Sequence, residues 1–182
     1  MTKRIMLVDD ERGILNALRR MIESKAATEL APYAIKVEMF ESPIAALQRA
    51  EVMSFDVVLS DYRMPEMTGV VFLSRIKALQ PSAMRLILSG YADLTALIAA
   101  INDAQIHCFL SKPWVDAELR AAIAHALETH KQLCERDELA DFARVQQGTM
   151  SSHDRELKRL EGSNPALARV NWSSDGGVLL DP

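Results

Sequence analysis

Val57-Val58-Leu59-Ser60-Asp61 is a short strand-forming run that stops on a carboxylate. Three more runs are built the same way. Ile5-Met6-Leu7-Val8 leads into Asp9-Asp10, Leu86-Ile87-Leu88 into Ser89-Gly90, and Cys108-Phe109-Leu110-Ser111 into Lys112-Pro113. Strands of a parallel sheet covered by helices on both faces read as near-continuous apolar runs, and such sheets bind ligands beyond the carboxyl ends of their strands. The spacing therefore predicts one rim where three carboxylates, a hydroxyl and an ammonium meet. That set suits a divalent cation and a phosphoryl group.

The segments between these runs carry helical signals. Ile14, Leu15, Leu18, Met21 and Ile22 recur at helical spacing, predicting a helix from about Gly13 to Lys25. Ala34 to Phe40 alternates enough to form a half-buried edge strand, and Ser42-Pro43 reads as N-cap and first residue of a helix to about Met53. The strand around residues 55–60 is followed by the loop Met64 to Gly69 and a helix through Leu73, Ile76 and Leu79, which Pro81 ends. A strand over Met84 to Leu88, a fourth helix from Asp93 to Asp103 and a strand over His107 to Ser111 complete an alternation that implies an α/β fold with a parallel sheet.

The last helix of this series is unusually long. It starts near Asp116 and meets no breaker before Gly148, so at about 1.5 Å per residue it spans on the order of 45 Å and outruns its domain. Leu119, Ile123, Ala126, His130 and Leu133 form a partly apolar seam; the charged stretch beyond reads as a solvated end, a dimer contact or a signal-carrying stalk. Ser151 and Asp154 resemble a capping box opening a short helix to about Glu161. Val170-Asn171-Trp172 and Val178-Leu179-Leu180 flank Ser-Ser-Asp-Gly-Gly, a candidate hairpin that must dock on something or stay mobile, since two strands alone are marginal in water.

At 182 residues the chain holds one ordinary domain plus an extension. Its net charge of −4 is unevenly placed: residues 1–114 carry 13 basic and 13 acidic groups, residues 115–182 carry 8 and 12. No basic stripe appears, which argues against nucleic-acid binding. No apolar stretch approaches the roughly 18 residues of a membrane span, and no signal-peptide core follows Met1, so cytoplasmic residence is the expectation. Cys108 and Cys134 make neither a disulfide framework nor a zinc site and read as reduced thiols.

Asp9-Asp10, Asp61, Ser89 and Lys112-Pro113, at these strand ends and in this order, resemble the receiver domain of two-component response regulators. So do the phrases Val8-Asp9-Asp10-Glu11, Asp61 to Gly69 and Phe109 to Trp114, and the local wording is similar to receivers fused to HD-type cyclic-dinucleotide phosphodiesterase domains. The resemblance covers about residues 2–128. It implies a flavodoxin-like fold, a five-stranded parallel sheet in the order 2-1-3-4-5 with helices on both faces, here with an extended fifth helix and a small C-terminal tail. The expected organisation is a receiver at 1–128, a helical extension at 129–147, and a linker, short helix and candidate hairpin at 148–182.

The chemistry of magnesium makes Asp10 and Asp61 its expected direct ligands, with Asp9 acting through a metal-bound water. The resemblance adds the backbone carbonyl of Arg63. Asp61 is then the phosphoacceptor, Lys112 the compact cation that meets the phosphoryl group, and Ser89 the hydroxyl that shifts toward it while Phe109 turns inward. Taken alone, Asp61 reads as a loop cap and Phe109 as simple core. Pro113 matches a family position often preceded by a cis peptide bond. The implied partners are a histidine kinase or histidine phosphotransfer protein and a downstream protein, and the chain is expected to be a phosphoacceptor rather than an enzyme. A homodimer through the fourth-helix, fifth-strand and fifth-helix face, with Ile98, Ile101 and Ala122, or through the long helix, is a further expectation. Alternatives are a phosphorelay shuttle without its own output and a degenerate receiver acting as a constitutive interaction module. His153-Asp154 resembles a phosphohydrolase pair, but no further histidine follows it, so no hydrolase site is expected.

Overall fold

A computed structural model describes residues 2–24, 27–90 and 104–163. Its elements run β1 (Thr2–Val8), α1 (Arg12–Ile22), a 3-10 turn (Thr28–Leu30), β2 (Ala34–Phe40), α2 (Pro43–Ala50), β3 (Val57–Asp61), α3 (Gly69–Leu79), β4 (Met84–Ser89), β5 (Cys108–Ser111), α4 (Asp116–Gln146) and α5 (Ser152–Ser163). All strand pairs are parallel and the order is β2-β1-β3-β4-β5, as expected for the flavodoxin-like receiver fold. The predicted helix over 93–103, with Ile98 and Ile101, and the candidate hairpin after residue 170 lie outside the described residues.

Burial on both sides explains why the strands read as continuous apolar runs. Ile5 and Leu7 of β1 enter one core with Leu15 and Leu18 of α1 and Leu119, Ile123 and Leu127 of α4. Met6 and Val8 point the other way, into a second core with Ala46 of α2 and Phe72, Leu73 and Ile76 of α3. Ile5, Met6, Leu7, Phe72 and Leu86 are fully enclosed, and removing each such side chain from water is worth about 1.5–3 kcal/mol. Edge strand β2, by contrast, has no buried residue.

Local signals set several boundaries. Ser42 caps α2 by accepting from the Ala45 N–H at 3.4 Å, and Thr68 caps α3 by accepting from Val71 at 3.4 Å. The first strand residue of β3 is Val57 rather than Phe55, because the Phe55 N–H is taken by the Gln80 side chain at 2.8 Å instead of a ladder carbonyl. Buried Arg85 joins the start of β4 to the residue preceding β5's approach: its guanidinium donates to the carbonyls of Ala83 at 2.6 Å and Ala104 at 3.0 Å.

The 31-residue α4 packs on the sheet through Leu119, Ile123, Ala126 and Leu127. His130 closes this seam with an ion pair rather than an apolar contact. Its Nδ1 lies 3.1 Å from Asp56 Oδ1, which also holds Lys3 Nζ at 2.8 Å, while the Arg4 N–H donates to Asp56 Oδ2 at 2.7 Å. Burial alone would lower the His130 pKa, but its hydrogen bonds to Asp56 and Cys134 raise it to about 9. Burial would raise Asp56, yet the bonds from His130, Arg4 and Lys3 bring it down to about 2.

Beyond Cys134, α4 leaves the sheet and ends at Gly148, whose φ of +72° suits a residue without Cβ. The Thr149 N–H returns to Arg144 O at 3.0 Å and the Gly148 N–H to Val145 O at 3.1 Å, the paired bonds of a Schellman cap. The Ser151 and Asp154 box then starts α5, with Ser151 Oγ donating to Asp154 Oδ2 at 2.7 Å and accepting from the Asp154 N–H at 3.0 Å. Helix α5 folds back antiparallel along α4. Asp141 on α4 takes Lys158 at 2.6 Å and Arg144 at 2.9 Å, Arg155 stacks over Phe142 at 5.4 Å, and Ser54 Oγ donates to Gly162 O at 2.7 Å.

Candidate functional site

The carboxyl ends of β1 and β3 are neighbours at the point where strand order reverses, with those of β4 and β5 beside them. Three chemically active side chains meet directly at that rim. Lys112 Nζ, just past β5, lies 2.7 Å from Asp9 Oδ2 and 2.5 Å from Asp61 Oδ1. Asp9 is 1% exposed and Asp61 7%, so two carboxylates share one ammonium largely away from water.

Backbone groups hold both acids in place. The Glu11 N–H donates to Asp9 Oδ1 at 2.9 Å, and the Arg63 N–H donates to Asp61 Oδ2 at 2.6 Å. Burial is the main influence on Asp9 and lifts its pKa above the usual carboxylate range, against the hydrogen bonds from Lys112 and Glu11. Burial would depress Lys112, but its bonds to Asp61 and Asp9 keep it above its ordinary value. The ammonium therefore stays charged at neutral pH, and the Asp9 carboxylate depends on a cation beside it.

The remaining residues singled out in the sequence fall around this cluster. Ser89 ends β4; its hydroxyl donates to Gly90 O at 3.3 Å, and its carbonyl accepts from the Lys112 N–H at 2.8 Å. Phe109 is half-buried on β5 and packs against the core on the α2 and α3 side. Asp10 is exposed at the mouth. The Lys112-Pro113 peptide bond is cis. Among the described residues no three acids, histidines or cysteines are gathered closely enough to enclose a metal ion. The donor set nonetheless fits magnesium, which is commonly held by one or two carboxylates with waters and phosphate oxygens completing its shell.

Gly69, which the sequence places only at the end of the loop from Met64, is a further residue of the site. A Cβ there would stand 2.0 Å from the Asp61 carbonyl oxygen and 3.1 Å from Ser60 Oγ. Glycine thus lets the start of α3 press against the backbone of Asp61, and the Gly69 N–H donates to Tyr62 O at 2.8 Å. The signal in the sequence was a glycine directly after a capping threonine, where the helix itself requires none. Of the His153-Asp154 pair, Asp154 bonds to Ser151 in the capping box and His153 is exposed. Cys108 and Cys134 are free thiols, and among the described residues no helix is long and apolar enough to cross a membrane.

Comparison with known proteins agrees with the fold. Residues 5–124 match the model of the response regulator receiver domain family. The chain is 34% identical over 124 residues to the hydrogenase transcriptional regulatory protein HoxA of Cupriavidus necator, covering 68% of this chain and 24% of that protein. It is 30% identical over 175 residues to the cyclic di-GMP phosphodiesterase response regulator RpfG of Xanthomonas campestris pv. campestris, covering 96% of this chain and 44% of that one. The chain thus spans about a quarter of the length of one of these relatives and under half of the other. Among solved structures, the signal receiver domain of an HD domain-containing protein from Pseudomonas fluorescens Pf-5 superposes with a TM-score of 0.64 at 33% identity, over 72% of this chain and 99% of that one.

Proposed function

This chain belongs to the response regulator receiver domain family, and on that premise we propose that it takes a phosphoryl group on Asp61 from a histidine kinase or histidine phosphotransfer protein and signals through protein contacts. The observation that carries the proposal is the buried pair of carboxylates, Asp9 and Asp61, held on either side of Lys112. Two acids at one rim with a cation between them are a poor choice for packing alone. They suit a place where a more highly charged group comes and goes.

In the proposed reaction, an Asp61 carboxylate oxygen bonds to the phosphorus of a phosphohistidine while the bond from phosphorus to the imidazole nitrogen breaks and its electron pair returns to the ring. Asp9, Asp10, Asp61 and the Arg63 carbonyl would hold Mg²⁺, which when bound offsets the charge of the phosphoryl oxygens. Lys112 moves from carboxylate partner to phosphoryl partner over a short distance, since it already lies 2.5 Å from the acceptor side chain. The product adds about −1.5 to −2 charge and three strong acceptors at the rim. The Ser89 hydroxyl turns from Gly90 O toward those acceptors, and Phe109 moves into the space vacated beside it. The switch then changes the surface around β4, β5 and the start of α4, which is where a downstream partner or a second copy would read it.

The organisation proposed with this function is a receiver at 1–128, a helical extension at 129–147 and a smaller segment at 148–182. Fluorine NMR of beryllofluoride with Mg²⁺ tests the reading. Wild type should show a bound fluoride signal that Asp61→Asn lacks. Absence of the signal in wild type would favour a degenerate receiver that acts as a constitutive interaction module.

A further inference from the structure

Lys3 lies at the start of β1 and Asp56 directly precedes β3, so they mark the end of the sheet opposite the rim where Asp61 terminates β3. Helix α4 passes that end, and on it His130 and Cys134 stand one turn apart. The imidazole touches two partners: Nδ1 is 3.1 Å from Asp56 Oδ1, and Nε2 is 3.7 Å from Cys134 Sγ. A thiol, a ring beside it and a carboxylate that orients the ring are the parts of an activated nucleophile.

The sulfur meets positive surroundings. Lys3 and His130, the latter protonated at neutral pH, bring two positive charges to the single negative charge of Asp56, leaving one in excess beside Cys134. The neighbouring charges are offset among themselves. Arg4 pairs with Glu38 and Lys131 with Glu135, while Glu138, one turn past Cys134, is attracted by Arg159 of α5. Cys134 is also partly exposed, as a reacting thiol must be. Cys108, the other cysteine of the chain, is the contrast: its sulfur donates to Phe109 O at 3.7 Å, and burial pushes its thiol up, away from the reactive thiolate.

We propose that Cys134 is a modification site, a nucleophilic thiolate stabilised by His130 that exchanges with low-molecular-weight disulfides. In that step Cys134 Sγ bonds to one sulfur of the disulfide while the S–S bond breaks, and its electron pair leaves with the second sulfur as a thiolate. His130 balances the charge on Cys134 before the attack and keeps its proton through it. The added group then stands where α4 parts from the sheet, at the end opposite Asp61.

Iodoacetamide measures the rate, and glutathione disulfide is the probe of exchange. At pH 7, peptide mapping of the full chain should find Cys134 alkylated about tenfold faster than Cys108, and about tenfold faster than Cys134 of the urea-unfolded chain. Packing alone would shield the sulfur and slow it, so acceleration over the unfolded chain reports the imidazolium. Glutathione disulfide should add to Cys134 and leave Cys108 free. His130→Gln with an unchanged far-ultraviolet helical signal should fall to the unfolded rate or below; if that variant loses helix, the wild-type comparison of folded with unfolded chain decides. A folded rate no higher than the unfolded one, equal capture at Cys108, or a folded His130→Gln as fast as wild type would each overturn the proposal.

Discussion

Gly69→Ala is the sharpest structural test of how Asp61 is held. The added Cβ would meet the Asp61 carbonyl oxygen at 2.0 Å and its carbon at 3.0 Å, whereas ordinary carbon contacts settle at about 3.5–4.0 Å. Neither side can easily step away. Asp61 is the last rung of the ladder to Leu88, and Gly69 is held through its N–H by Tyr62 O. Overpacking of this kind costs about 1–3 kcal/mol, and a clash between two backbone segments belongs at the upper end. At roughly 2–4 °C per kcal/mol for a chain of this size, thermal unfolding should move down by about 6–12 °C. Displacing the acceptor by an ångström should also slow phosphorylation by a small-molecule donor by on the order of a hundredfold. Gly13→Ala is the control: its Cβ meets nothing within 4 Å on the exposed face of α1, so it should stabilise by roughly 0.5 kcal/mol. If Gly69→Ala melts and phosphorylates like wild type, the close approach of α3 to Asp61 is not as described.

Lys112→Met should destabilise by about 2 kcal/mol in the absence of divalent cations, because it leaves Asp9 and Asp61 facing each other without a counter-charge, and Mg²⁺ should restore part of the loss in thermal melts; melts indifferent to Mg²⁺ would count against a metal at these acids. His130 has its pKa raised to about 9, so its pairing with Asp56 stabilises fully below the ordinary histidine value of about 6.5 and fades as pH climbs through 9, a contribution of roughly 3 kcal/mol. Asp56, lowered to about 2, loses its share only as pH falls below its ordinary range toward 2. Denaturant titrations of wild type and His130→Gln from pH 6 to 10 check this: the alkaline decline should flatten in the variant. Arg85→Met should cost about 2 kcal/mol by leaving the Ala83 and Ala104 carbonyls without their donor, read as a lower urea midpoint at unchanged slope.

The parts of the fold that were legible in the sequence are those in which each residue's neighbours are dictated by burial. Val57 to Leu59 and Ile5 to Val8 face apolar cores on both sides, so their composition alone marks them as strands and their order along the chain marks where they end. The acids and the lysine were legible for the same reason, since a charge that terminates a buried strand has to emerge at a rim. Contacts made by backbone shape or by distant charges were not. Nothing in the sequence near Gly69 reveals that Asp61 O lies within reach, and His130 occupies an apolar position of the α4 seam whose partner, Asp56, is 74 residues earlier. The return of α5 rests on Asp141 with Lys158 and Arg155 with Phe142, pairs indistinguishable by composition from the other charges on those helices. The sequence therefore left the extension as a stalk, a dimer contact or a solvated end, where the structure has a hairpin. The 3-10 turn at Thr28–Leu30, with buried Leu30, was likewise unmarked by any periodic pattern.

Intact-mass analysis after incubation with acetyl phosphate and Mg²⁺ tests whether Asp61 takes a phosphoryl group. Wild type should gain a single phosphoryl group that hydroxylamine removes, as expected of an acyl phosphate, and Asp61→Asn should gain none. A wild type that stays unmodified, or a gain that persists in Asp61→Asn, would contradict the assignment of Asp61 as the phosphoacceptor.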